Sequence, residues 1–220
     1  MNIRFLTITL FLALFFQTNA KIEICNLQKS NYSNFYTVDV EQTLCLARNS
    51  EKDITIFFTY ADWCGPCRRK LPGAIKLAEE NNTDFYLLLV DRERDTHLFG
   101  RIAHMVDSVF HNKIKTVIIS DSLYGERAME RFNRRSRRGF VLVSTGRTER
   151  DKYINFLTQI TPSKFDNTND MGKFIVLNKK GEVVLITNYE DSQGGRDDSK
   201  LFERVAQAID AERKRAGVKE

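Results

Sequence analysis

Apolar runs alternate with amphipathic stretches through the middle of the chain. Three runs rich in β-branched and aromatic residues are typical of strands buried on both faces: Asp53–Tyr60, Asp84–Val90 and Lys115–Ser120. In other stretches apolar residues recur every three or four positions, which predicts helices. These stretches are Glu41–Arg48, Gly65–Asn81, Thr96–Phe110, Leu123–Arg137, one marked by Tyr153, Phe156, Leu157 and Ile160, and a last one carrying Leu201, Val205 and Ile209.

Near the C-terminus the pattern changes to that of a hairpin. Lys173–Leu177 and Glu182–Thr187 flank Asn178–Gly181, in which glycine occupies a turn position. Gly139–Val143 predicts one further short strand. Strands that alternate with helices and end in a hairpin indicate an α/β fold, in which a central mixed β-sheet is covered by helices on both faces.

The N-terminus has the features of a secretory signal. Arg4 supplies a positive charge, Phe5–Phe16 forms an apolar run, and Thr18–Ala20 resembles a cleavage site. A helix over Phe5–Phe16 would reach about 18 Å, short of a hydrocarbon core of about 30 Å. We therefore interpret residues 1–20 as a signal peptide and expect an exported mature chain, periplasmic or secreted, that starts near Lys21. An uncleaved anchor or an ordinary buried helix is the alternative.

Composition narrows the function classes. The chain has 220 residues, 42% of them apolar and 29% charged, which is enough for one domain with its own core. Its net charge of +5 falls to +4 when Arg4 leaves with the signal. That excess is too modest to indicate a nucleic-acid-binding protein.

Two of the four cysteines form the strongest chemical signal. Cys64 and Cys67 lie where a predicted buried strand gives way to a predicted helix. Unpaired backbone N–H groups and the dipole at a helix start stabilise a thiolate, which makes Cys64 a candidate nucleophile. A zinc site would need two further ligands, and no second pair of suitably spaced cysteines or histidines is present. A purely structural disulfide is the other alternative.

The segment Thr55–Pro72 (TIFFTYADWCGPCRRKLP) resembles the active-site segment of thioredoxins, especially that of the exported TlpA/ResA-like branch. Residues 63–67 match the thioredoxin motif, and Pro72 matches the proline that bends the helix after it. A looser similarity extends to Asp84–Val90, the terminal hairpin and the last helix.

The resemblance implies a thioredoxin-like fold over residues 51–216 and dithiol–disulfide exchange. It implies that Cys64 attacks, that Cys67 resolves the mixed disulfide, and that Trp63, Gly65 and Pro66 shape the site. No metal or organic cofactor is expected, because the dithiol itself carries the electrons.

Three departures from the family pattern affect the predicted mechanism. Phe58 stands where thioredoxins have a buried aspartate, so the acceptor of the Cys67 proton is not identified. The position of the family's cis-proline falls on Gly172 or a neighbour, unless Pro162 supplies it. Residues 91–171 exceed a single crossover helix and predict an insertion of at least one strand and helix.

Cys25 and Cys45 remain once the first pair is assigned. We expect them to form a structural disulfide within an N-terminal extension, residues 21–50, because export favours oxidised cysteines. Two separate thiols, or a relay of electrons between the two pairs, are the alternatives.

Two further sets of residues have surface interpretations. The histidines recur every seven residues, too far apart along a helix to share one metal ion: His97, His104 and His111. Five arginines share one face of a predicted helix, either as a solvated face or as a surface for an anionic partner: Arg127, Arg131, Arg134, Arg135 and Arg138.

Together these features predict an exported thiol–disulfide oxidoreductase. The Gly65–Pro66 pair resembles reducing thioredoxins and favours a reductase, with a protein disulfide as substrate and a separate electron-donating partner. The alternative is a non-catalytic adaptor of thioredoxin-like fold, which would bind a partner through the insertion or the arginine face.

Overall fold

A seven-stranded mixed sheet runs through the computed structural model, which describes residues 22–99, 115–124, 149–166, 168–192 and 198–217. The strands are β1 (Gln28–Lys29), β2 (Tyr36–Val38), β3 (Ile54–Tyr60), β4 (Asp84–Leu89), β5 (Lys115–Ile119), β6 (Phe174–Asn178) and β7 (Val183–Ile186). The α-helices are α1 (Val40–Arg48), α2 (Gly65–Glu80), α3 (Asp121–Tyr124), α4 (Glu149–Ile160) and α5 (Ser199–Ala216). Two 3₁₀ helices span Glu93–Phe99 and Tyr189–Ser192.

The strand order is β1-β2-β5-β4-β3-β6-β7. Strands β2, β5, β4 and β3 are parallel, whereas β1, β6 and β7 join antiparallel to their neighbours. In this register Phe57 of β3 lies between Tyr86 of β4 and Ile175 of β6. Strand β3 is therefore central, and the chain that leaves its carboxyl end starts from the middle of the sheet.

Each face of the sheet has its own core. On one face, α2 and α5 cover Ile56 and Phe58 of β3. On the other face, α1 and α4 cover Phe57. All seven residues of β3 are buried because helices lie on both faces, and this explains why the strand is rich in β-branched and aromatic residues instead of alternating apolar and charged positions.

Most of the predicted elements are present where the structure describes them. The three buried strands, the terminal hairpin and the helices α1, α2, α4 and α5 are confirmed to within a few residues. Strands β1 and β2 were not predicted, because two or three residues are too short to show a period. Over the described part of the predicted helix Thr96–Phe110, the backbone is a 3₁₀ helix that begins at Glu93.

Several predictions lie outside the described residues. These are the signal peptide, most of Thr96–Phe110, Leu123–Arg137 beyond α3, and the strand Gly139–Val143. The boundaries of the extension and of the insertion stay predictions, although β2 and β5 pair with each other in the one sheet. Within the described ranges, no helix combines the length and apolarity needed to cross a bilayer.

The predicted fold class is confirmed. The sheet is mixed, helices cover both faces, and a terminal hairpin pairs antiparallel with the central strand. Strand β5 lies between β4 and β2, so a strand from the predicted insertion enters the interior of the sheet. This is a thioredoxin-like arrangement enlarged by one parallel strand.

Candidate active site

The Cys64–Cys67 pair lies at the junction of β3 and α2. Cys64 is the N-cap residue of α2, and its Sγ accepts a hydrogen bond from the Cys67 backbone N–H at 3.2 Å. Pro66 fits the first turn, where its missing N–H has no intrahelical partner. The two sulfurs form a disulfide, with the Cα atoms 5.3 Å apart. A cysteine at this position has the helix-start environment that favours a thiolate.

Both cysteines of the pair are buried, Cys67 slightly more deeply than Cys64. Cys64 is 5% exposed and Cys67 is fully buried. The Cys64 sulfur turns toward the first turn of α2 and bonds Cys67 there. The exposed group is Trp63, at 58%, which leaves a flat apolar surface beside the disulfide.

Two carboxylates from distant parts of the chain hold the residues before Cys64. The Trp63 Nε1–H donates to Glu149 Oε2 at 2.8 Å, and Glu149 is the first residue of α4. The Asp62 backbone N–H points at both carboxylate oxygens of Asp91, each at 3.3 Å. Sequence reasoning missed both acids. Asp91 comes two residues after the end of the buried strand β4, and that position at the carboxyl edge of the parallel strands was the available signal.

Asp91 is a buried acid with a strongly altered titration. Burial raises its pKa to about 7, and the negative charge of Glu149 raises it as well. The Asp62 N–H and the Lys152 ammonium oppose that rise. Near neutral pH the carboxyl that supports the Cys64 loop is therefore close to its midpoint.

A buried lysine fixes α4 to the edge of the sheet behind Asp91. Lys152 is 2% exposed, and its Nζ donates to the Asp91 carbonyl at 2.6 Å and to the Ile119 carbonyl at 3.0 Å. A third bond joins it to Asp121 Oδ1 at 2.7 Å. Burial lowers the pKa of Lys152, while Asp121 opposes that change. This network explains how Glu149, at the start of α4, reaches Trp63.

Beneath the disulfide the strand presents aromatic side chains. Phe58 is fully buried, and its ring lies 5.0 Å from that of Phe174. Tyr60 is also fully buried, and its hydroxyl has no hydrogen-bond partner among the described residues. Burial, with Asp62 next in size, raises the pKa of Tyr60 to about 12. The position where thioredoxins have an aspartate is thus occupied by a packed phenyl ring.

Gly172 faces the disulfide from the segment before β6. It adopts a φ of +78°, and a Cβ built on it would lie 3.4 Å from Cys67 Sγ. The next residue is bonded to β3, because the Lys173 N–H donates to Thr59 Oγ1 at 2.8 Å and the Thr59 N–H donates to the Lys173 carbonyl at 2.9 Å. No cis peptide occurs in the described ranges. Of the two positions considered for the family's proline, Gly172 is the one beside Cys67.

The remaining predicted residues lie elsewhere. Cys25 and Cys45 form a disulfide; Cys25 belongs to the core cluster on the face of the sheet opposite Cys64, and the partly buried Cys45 packs against that cluster. The arginine face, His104 and His111 lie outside the described residues, as does the side chain of His97. Within the described part of the chain, no three His, Cys, Asp or Glu side chains are grouped so as to hold a metal ion.

Comparison assigns the chain to no family. The sequence matches no family model and no curated protein. A crystal structure of a thio-disulfide isomerase from Thermus thermophilus matches at 16% identity and a TM-score of 0.39, over 73% of this chain and 82% of that one. The solution structure of a candidate thiol-disulfide oxidoreductase from Bacteroides vulgatus matches at 18% identity and 0.33, over 69% and 75%.

Proposed function

We propose that the chain is an exported thiol–disulfide oxidoreductase that reduces protein disulfides through Cys64 and Cys67. One observation carries the proposal: a disulfide caps the first turn of α2, next to an exposed tryptophan. Reduced, this pair has a helix-start thiol for attack and a second thiol within bonding reach for resolution. Trp63 offers apolar contact area to an incoming polypeptide.

The chemistry follows from the order of the two sulfurs. The Cys64 thiolate attacks a substrate disulfide and forms a mixed disulfide, releasing one substrate thiol. Cys67 then attacks Cys64 Sγ, which releases the second substrate thiol and leaves the disulfide Cys64–Cys67. A dithiol donor, as a separate electron-donating partner, returns the pair to its reduced form.

The charges near Cys64 support a reductase. Glu149 and, in its ionised form, Asp91 accept hydrogen bonds from the two residues that precede Cys64, and negative charge makes a nearby thiolate less stable. A pair whose thiolate is less stabilised holds its disulfide form more firmly, so its dithiol is the stronger reductant. Arg68 and Arg69 follow in α2, but they are exposed and solvent screens their charges.

Three features of the chain support export. The signal-like N-terminus supports it. So does the disulfide Cys25–Cys45, since such bonds persist in oxidising compartments. The resemblance of residues 55–72 to the TlpA/ResA-like branch favours a periplasm.

Trapping of a mixed disulfide tests the exchange reaction. We expect Cys67→Ser, expressed with its native leader, to accumulate covalent adducts through Cys64 that dithiothreitol releases on non-reducing gels. The matched control is Cys64→Ser/Cys67→Ser, which keeps only the disulfide Cys25–Cys45 and should form none. A folded Cys67→Ser protein without adducts would favour the adaptor instead.

The reduction potential tests the direction. Trp63 is the only tryptophan in the chain, so its fluorescence reports the state of the neighbouring pair without interference from a second indole. We expect a potential near that of thioredoxin, about −270 mV. A value near −120 mV would make the protein an oxidant and would reject the reductase assignment.

A further inference from the structure

A buried lysine lies one turn after Cys67 on the same side of α2. Lys70 is 8% exposed, and both residues belong to the buried face of that helix. Residues three apart in a helix are neighbours on its surface. Lysine is rarely buried unless its charge is used or paired, so this side chain calls for an explanation.

Gly172 shows how close the lysine comes to the sulfur. A Cβ built on Gly172 would lie 3.4 Å from Cys67 Sγ and 3.7 Å from Lys70 Cδ. The Lys70 stem and the Cys67 sulfur therefore flank the same small residue. The ammonium lies at the end of this stem, with Asp198 Oδ1 3.5 Å away across a gap too long for a strong charged hydrogen bond.

A second ammonium stands behind Gly172. Lys173 is 1% exposed, and its Nζ is held by Asp170 Oδ1 at 2.7 Å and by the Thr187 carbonyl at 2.8 Å. Burial lowers the pKa of Lys173, Asp170 raises it in part, and the positive charge of Lys70 lowers it further. The two cations are thus near enough to repel each other. Lys173 has short bonds to its partners, whereas Lys70 is the more weakly paired charge.

We propose that Lys70 is a positioning residue whose ammonium stabilises the thiolate of Cys67 when that thiolate resolves the mixed disulfide. Phe58 occupies the position where a carboxylate base would be expected, so no carboxylate at that position takes the proton of Cys67. The Lys70 cation acts instead by stabilising the Cys67 thiolate. The inference rests on the proposed function for the identity of the step. The effect on Cys67 itself requires no turnover.

The step balances without another reactant. Cys67 loses its proton, and the resulting thiolate attacks Cys64 Sγ. The Cys64–Cys67 bond forms as the bond between Cys64 and the substrate sulfur breaks, and the electron pair leaves on the substrate sulfur. That sulfur takes up the proton and departs as a thiol, so the substrate is reduced and the protein pair is oxidised.

The size of the effect can be bounded. A neighbouring opposite charge shifts a pKa by about one to three units. The Lys70 stem passes beside the Cys67 sulfur and does not end on it, so we expect the pKa of Cys67 to shift by about one unit. A shift of that size changes the thiolate fraction about tenfold below the pKa. The intrinsic nucleophilicity of a thiolate falls as its pKa falls, and this offsets about threefold of the tenfold gain in thiolate fraction. We therefore expect loss of the charge to slow resolution about threefold.

The experiment titrates Cys67 in the full chain with Cys64→Ser, where the disulfide Cys25–Cys45 is kept and Cys67 is the single free thiol. Thiolate absorbance near 240 nm is followed against pH. Added Lys70→Met should move the midpoint up by about one unit, and Lys70→Arg should keep it close to the parent value. Lys76→Met is the matched control, because Lys76 lies on the exposed face of the same helix.

Asp198→Asn gives an independent test that keeps the lysine. It removes the negative charge beside Lys70, so the Cys67 midpoint should move down, opposite to the effect of Lys70→Met. An unchanged midpoint in a folded Lys70→Met variant would overturn the inference. An upward shift in Asp198→Asn would do so as well, because it would attribute the effect to disturbed packing. Failure of the wild-type chain to exchange with disulfides would reject the proposed function and leave this titration intact.

Discussion

The two disulfides of this chain lie on opposite faces of one sheet and have opposite surroundings. Cys64–Cys67 closes a step of three residues at the start of a helix, with carboxylates and an exposed tryptophan beside it. Cys25–Cys45 closes a separation of 20 residues, and Cys45 lies inside α1 rather than at its start. The bond is the same in both, so its surroundings must determine what each one does.

The contacts around Cys25–Cys45 support a structural role, in which the bond acts as a clamp between two segments of the chain. Asn49, which ends α1, donates from Nδ2 to the Cys45 carbonyl at 3.0 Å and to Cys45 Sγ at 3.3 Å. Cys25 is 4% exposed and packs in the core under α1 and α4. The bond therefore ties the segment before β1 to a helix that covers the sheet. We therefore assign Cys64, at a helix start, to the proposed exchange reaction and Cys45, within a helix, to cross-linking.

The largest expected difference between the two disulfides is in the free energy of unfolding that each one contributes. Replacement of Cys25 and Cys45 by serine should lower the free energy of unfolding by about 3 kcal/mol, because the bond restricts a long loop of the unfolded chain. Replacement of Cys64 and Cys67 should cost about half as much, since their loop is short. Urea unfolding of the two double variants measures both values. Equal losses, or the reverse order, would contradict the division into clamp and redox pair.

The next effect is a pH dependence of stability that arises beside the Cys64–Cys67 pair. The pKa of Asp91 is raised to about 7 in the folded chain from 3.8, so the folded state binds the extra proton between those values. The stability that Asp91 contributes by binding this proton is complete below pH 4 and is lost as the pH rises through 7. Between pH 5 and pH 8 this loss amounts to about 3 kcal/mol.

Asp91→Asn should remove that slope. Urea unfolding of wild type and variant at pH 5 and pH 8 makes the comparison. Asp53→Asn is the matched control: Arg213 holds the pKa of Asp53 below its usual value, so that group does not titrate in this window. A slope that persists in Asp91→Asn would show that another group is responsible.

The sequence was informative where structure is local. The pattern of Asp53–Tyr60 predicted β3, since a strand covered by helices on both faces is rich in β-branched and aromatic residues. Residues 63–67 predicted the start of α2, since cysteine, glycine and proline have local conformational preferences at a helix start. The acids beside the pair could not be found that way. Asp91 and Glu149 bond to residues 29 and 86 positions earlier in the chain, and only the completed sheet brings them there.

Strand β2 shows the same limit. Its three residues have too few positions for a period, and its partner β5 comes from a segment about 80 residues later. Gly172 was located by counting within a family pattern rather than by physics. Its significance comes from a positive φ and a neighbouring sulfur, and neither is visible in a sequence.

The smallest effect distinguishes contact with Cys67 from backbone strain. Gly172 and Gly217 both adopt left-handed φ values, +78° and +69°, so alanine at either should cost about 1 kcal/mol of stability. Only at Gly172 does the added methyl group meet the disulfide, because nothing lies within 4 Å of a Cβ at Gly217. We expect Gly172→Ala to slow exchange with glutathione disulfide several-fold and Gly217→Ala to leave that rate unchanged. Similar rates in the two variants, measured at equal folded fraction, would mean that the segment before β6 takes no part in exchange, and the redox site would then be confined to the start of α2.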